Sequence, residues 1–104
     1  MSSAPIVKKP IVKKVTDARP RLAPLYRVLV HNDDVTTAEF VVYILMDIFK
    51  KNVSDAAEIM TTAHNSGVAL VVVLPLEEAE LRVEQAHSKA RTAKYPLTFT
   101  YEPE

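Results

Sequence analysis

Four polar side chains on two distant stretches could do chemistry in this chain. Asn32, Asp33 and Asp34 follow an apolar run, and His64 opens the stretch His64-Asn65-Ser66-Gly67. An amide oxygen, two carboxylates and a neutral imidazole nitrogen all accept hydrogen bonds. Gathered beside apolar walls, they form a cup for a cation that carries its own N–H donors and a greasy substituent. The free N-terminus of a peptide with a hydrophobic first residue fits that description. Bonds between such charged donors and acceptors are stronger than neutral ones.

Taken singly, each of these residues is ordinary. Asn-Asp-Asp after a strand is most often a plain turn, and a histidine near a helix end is usually structural or solvated. Met60 and Ala63 at helical spacing read first as core. What the chain lacks shifts the balance. It has no cysteine, so it has no thiol nucleophile, disulfide or thiolate zinc site. Its one glycine, Gly67, cannot build a phosphate-cradling loop. Asp33, Asp34 and His64 make a poor metal set without a spacing motif, and no serine sits in a glycine-flanked elbow. The residues therefore favour binding over catalysis, with no cofactor expected.

The elements that must position these groups follow from pattern. Leu25-Tyr26-Arg27-Val28-Leu29-Val30 is β-branched and aromatic and predicts a strand, ended by the Asn-Asp-Asp turn. Thr36-x-x-Glu39 matches a capping box, which predicts a helix from Thr36 to about Phe49. Val41, Ile44, Leu45 and Ile48 form its apolar stripe. Ser54 is the expected cap of a second helix, about Asp55 to Asn65, with Gly67 as its stop. Val68–Leu74 predicts a buried strand. Leu76, Ala79, Val83, Ala86 and Ala90 mark one face of a third helix whose start is rich in glutamate. Leu97–Tyr101 predicts a last strand. The expected fold is α+β in the order β-α-α-β-α-β, with a three-stranded antiparallel sheet packed by three helices.

Charge divides the chain. Residues 1–24 hold six Lys/Arg and one Asp, while residues 25–104 hold seven Lys/Arg and twelve Asp/Glu. The net charges are thus +5 and −5. Pro5-Ile6-Val7-Lys8-Lys9 repeats as Pro10-Ile11-Val12-Lys13-Lys14, and Pro20 and Pro24 follow. Residues 1–24 are expected to be a disordered arm, and 25–104 the folded domain. The acidic domain argues against nucleic acid. No apolar run reaches the ~20 residues of a membrane span, and the start lacks a signal-peptide core. A monomeric cytoplasmic protein is expected.

Tyr26–Asp34, Thr36, Glu39-Phe40-Val41, Met60, His64-x-x-Gly67, Glu77–Val83 and Tyr95-Pro96-Leu97 together resemble the ClpS adaptor family. The resemblance covers residues 25–104. It implies an adaptor, not an enzyme, that hands proteins with bulky hydrophobic N-terminal residues (Phe, Tyr, Trp, Leu) to a ClpA or ClpC unfoldase. It further implies that Asn32, Asp34 and His64 hold the substrate's α-amino group, with Asp33 in support. Thr36, Ala38, Val41, Met60, Ala63 and Leu97 would line the side-chain pocket. Glu77, Glu80 and Arg82 would dock on the unfoldase N-domain, which the arm also engages. Two departures stand out: the family usually has Met at the position of Ala38 and commonly Val at that of Ala63. The Met is the family's steric gate against β-branched side chains. A roomier pocket that also takes Ile and Val is expected. The alternative on the same element order is a ribosomal-stalk C-terminal domain, which recruits translation factors.

Overall fold

The first strand, β1 (Leu25–His31), is the middle of the sheet, with β2 (Val68–Pro75) on one side and β3 (Thr98–Pro103) on the other. Both pairings are antiparallel. The computed structural model describes residues 23–104, so the expected arm, save Ala23 and Pro24, lies outside the described residues. Three helices complete the chain: α1 (Ala38–Asp47), α2 (Val53–Ser66) and α3 (Leu76–Thr92). The order is β-α-α-β-α-β, as the residue pattern predicts.

Alternation along the strands decides which sheet face the helices cover. Val28 and Val30 of β1, Ala69 and Val71 of β2 and Phe99 of β3 are buried on one face. Their neighbours Arg27, Leu70, Thr98, Thr100 and Glu102 are exposed on the other. A bulge in β2 between the partners of Val28 and Leu29 leaves Val71 as an extra residue turned into the core. The core is closed by Ile44 and Leu45 of α1, Ala56 and Ala63 of α2, and Ala79, Val83, Ala86 and Ala90 of α3. The small residues on α3 let that helix lie close to the sheet. Ile44 and Leu45 are completely buried; each contributes roughly 1.5–3 kcal/mol from leaving water.

The helix ends depart from pattern in instructive ways. α1 starts at Ala38, and its cap is Thr37, whose hydroxyl accepts from the Phe40 N–H at 3.1 Å. Thr36, the expected cap, is occupied by Asp33 instead. α1 also stops short of Phe49: Lys50 turns into the left-handed region at φ 60°, and the Lys51 N–H closes back on the Leu45 carbonyl at 3.1 Å. α2 begins two residues early, because Asn52 rather than Ser54 caps it through the Asp55 N–H at 2.8 Å. Gly67 ends α2 as expected, at φ 90°.

Candidate functional site

Two backbone links bring the polar stretches together. His31 pairs with Val68 and with Thr98, so the end of β1 sits between the start of β2 and the start of β3. Beyond it, the Asn32 N–H donates to the Gly67 carbonyl at 2.9 Å. Gly67 is in turn tied to the last turn of α2 by its N–H, which donates to the Ala63 carbonyl at 2.8 Å. The Asn-Asp-Asp turn therefore lies against the end of the helix that carries His64. Leu97, just before Thr98, reaches the same place from the β3 side.

A cavity of about 300 Å³ opens at this junction. Asn32, Asp33, Asp34 and His64 form part of its wall, and Thr36, Ala38, Val41, Met60, Ala63 and Leu97 form much of the rest. Spacing explains the convergence. Met60, Ala63 and His64 stand three and four apart on one face of α2, and Ala38 and Val41 are three apart on α1. Ala63 and Leu97 are buried, while Asn32, Asp34 and His64 are exposed.

Two further residues, Val30 and His31, border the cavity without having been singled out by their types. Val30 reads as core from strand alternation, and it is core; it meets the cavity because the core runs into it. The ring Nε2 of His31 shares a 2.7 Å hydrogen bond with the Thr100 hydroxyl. The one available signal was position, as the last residues of a strand before a functional turn.

The two carboxylates of the turn differ in occupation. Asp33 accepts from the backbone N–H groups of Val35 (2.8 Å) and Thr36 (2.7 Å) and from the Thr36 hydroxyl (2.8 Å). Partial burial pushes its pKa up, but the hydrogen bonds from Thr36 and Val35 outweigh that and hold it below the ordinary value of 3.8. Asp33 thus builds the turn. Among the described residues, the side chains of Asn32, Asp34 and His64 make no hydrogen bond, so their acceptor atoms stay open to a ligand.

Glu77 and Glu80 are exposed on the first turns of α3. Arg82 lies apart in character. It is half-buried, donates from Nη1 to the Ile48 carbonyl at 2.9 Å and pairs with Glu78 at 3.0 Å. Its guanidinium fastens α3 to the end of α1, a role that charge pattern alone does not reveal.

A central strand flanked by two partners and one helical layer define a small α+β domain with an acceptor-rimmed apolar hole at the Asn-Asp-Asp turn. Comparison with known proteins then fixes the class. The family model for "ATP-dependent Clp protease adaptor protein ClpS" matches residues 21–100. A ClpS adapter of Desulfatibacillum aliphaticivorans is 45% identical over 86 residues, which is 83% of this chain and 80% of that protein. One from Maricaulis maris is 49% identical over 80 residues, 77% of this chain and 73% of the other. Among solved structures, Agrobacterium tumefaciens ClpS2 bound to L-phenylalaninamide superposes with a TM-score of 0.76 at 39% identity, covering 79% of this chain and 99% of that one. The chain belongs to the ClpS family of Clp protease adaptors. It is an adaptor, not an enzyme, and the ribosomal-stalk alternative falls away. Among the described residues, no helix is long and apolar enough to cross a membrane.

Proposed function

We propose that this adaptor binds protein chains through a free α-amino group and a bulky hydrophobic first residue, and delivers them to a Clp AAA+ unfoldase. The observation that carries this reading is the cavity where open acceptors and apolar walls meet. At about 300 Å³ it is at the lower end of ligand pockets, sized for one side chain rather than a folded surface. L-phenylalaninamide, which the Agrobacterium relative binds, has this chemistry: a free amine beside a benzyl group.

In this reading Asn32, Asp34 and His64 accept the three ammonium hydrogens, while Asp33 holds the turn that aims them. Thr36, Ala38, Val41, Met60, Ala63 and Leu97 enclose the side chain. Phe, Tyr, Trp and Leu are the expected first residues, and Ile and Val are accepted too. The small Ala38 and Ala63 leave room beside Cβ, at a loss of roughly 0.8 kcal/mol per missing methylene contact. Glu77, Glu80 and Arg82 face a ClpA- or ClpC-type N-domain, residues 1–24 engage the unfoldase during handover, and the adaptor works as a monomer.

The test is calorimetry with short peptides that differ in residue one, each with a free and an acetylated N-terminus. Acetylation removes the charge and its donors, so the acceptors that a seated peptide covers are left unpaired at about 1–3 kcal/mol each; Phe-starting peptides should bind and acetyl-Phe peptides should not. Equal binding of the two overturns the proposal.

A further inference from the structure

A second groove lies between α3 and the outer edge of β3. Its volume is about 770 Å³, and Val83, Phe99 and Tyr101 give it an apolar floor with Glu80 and Glu84 along one rim. Arg91 and His87 stand at the far part of the groove. None of these residues borders the cavity at the Asn-Asp-Asp turn.

Among the described residues, the groove has an unpaired backbone edge. Thr98, Thr100 and Glu102 face β1, since the next N–H of the same parity, Glu104, donates to the Leu25 carbonyl at 2.9 Å. Alternation then turns the backbone groups of Phe99 and Tyr101 outward. The Phe99 N–H is already taken, donating to Nε2 of His87 at 2.9 Å. Tyr101 lines the groove, and among the described residues no strand pairs with its outward N–H and C=O. Such an edge accepts an extended peptide as a further strand.

Charge and connectivity select the occupant. Residues 1–22 carry six Lys/Arg against one Asp, while residues 23–104 carry seven against twelve acidic residues. Each copy of Pro-Ile-Val-Lys-Lys pairs two apolar side chains with two cations, which matches an apolar floor and a glutamate rim. The chain leaves the fold at Leu25, beside Glu104 and one strand from the β3 edge. From Ala23 back to Lys14 is nine residues, a reach of about 30 Å when extended, longer than β3 itself. A tether of this length gives an effective concentration on the order of millimolar, so a weak contact suffices.

We propose that the N-terminal arm seats one of its Pro-Ile-Val-Lys-Lys segments in the α3–β3 groove of its own domain, paired to the free edge at Tyr101 and with its lysines against Glu80 and Glu84. It covers Glu80, one of the three residues assigned to unfoldase docking. Docking and seating therefore compete, and arrival at the unfoldase frees the arm.

The full chain and a variant with Lys8, Lys9, Lys13 and Lys14 all changed to Glu are compared by amide hydrogen exchange. The Tyr101 N–H should exchange at least about tenfold more slowly in the native chain, and 0.5 M salt should remove most of that difference by screening. Glu80→Gln with Glu84→Gln in the native chain should give the same loss of protection, with core amides such as Val30 unchanged. Equal Tyr101 exchange in the native and four-Glu chains overturns the proposal. So does protection that rises with protein concentration, which assigns the groove to the arm of a second copy. Peptide binding at the Asn32–His64 cavity is measured alongside; its presence or absence leaves this outcome unaffected.

Discussion

Asp33 and Asp34 are adjacent, chemically identical and differently employed. Asp33 spends both carboxylate oxygens on the turn, whereas Asp34 is exposed. Asp33→Ala should cost about 1–2 kcal/mol of stability through the lost turn bonds, read as a lower urea midpoint. Asp34→Asn should leave that midpoint within about 0.5 kcal/mol yet weaken the free-amine peptide at least about tenfold, as the loss of one charged acceptor predicts. The Asp33 carboxyl titrates below its ordinary 3.8. The unfolded chain therefore binds that proton first, and stability from this group is lost as pH falls below about 4 toward the folded pKa. The Ala38 position carries a separate expectation. Ala38→Met, which restores the family's usual gate, should lower affinity for Ile- and Val-starting peptides while Phe- and Leu-starting peptides bind as before. Calorimetry across those four first residues checks it.

At the level of the elements, Gly67 joins helix, strand and turn. It caps α2 at φ 90° and receives the Asn32 N–H. A Cβ at this position would meet nothing within 4 Å, so Gly67→Ala carries the cost of the left-handed backbone alone, about 1–2 kcal/mol. A thermal melt should register that loss, and a larger one would mean that the turn moves with it. His87 does similar work for β3. Burial pushes its pKa down from 6.5, and the nearby Arg91 adds to this. The neutral ring is the form that accepts the Phe99 N–H. As pH drops through the usual imidazole range, the unfolded state takes the proton first and the fold loses stability. His87→Ala should lower stability at neutral pH by about 1–3 kcal/mol through the orphaned N–H. It should also flatten the loss of stability that sets in as pH falls through the usual imidazole range, which urea melts at several pH values would report.

Residues 25–104 behave as one body because β1 is bonded on both sides and a single core spans all six elements. Ile44 is fully buried in that core. Ile44→Ala should destabilise by about 2–5 kcal/mol in one transition, coincident by near- and far-ultraviolet circular dichroism. Two separated transitions would contradict a single core.

The element order and the face of α3 were legible in advance, because periodicity of apolar residues reports burial directly. Ala79, Val83, Ala86 and Ala90 are all buried, as their spacing implies. The caps were less so. Thr36 and Ser54 have the right types for capping, but Thr37 and Asn52 perform it. Side-chain oxygens one or two residues apart compete for the same N–H groups, and Asp33 decides the contest at Thr36. Arg82 and His87 were opaque for a different reason: their partners, Ile48 and Phe99, are remote in sequence.

By itself the sequence determined the strands and helices, the division of charge, the absence of thiol chemistry and the residue types that a cup for an ammonium requires. Those are local properties, set by neighbours within a few residues. Only the tertiary structure decided that Asn32 and His64 share one cavity, that Asp33 is committed while Asp34 is open, and that β3 is an edge strand among the described residues. Each depends on which distant backbone groups pair, and strand order and helix ends settle that through the cooperative burial of one core.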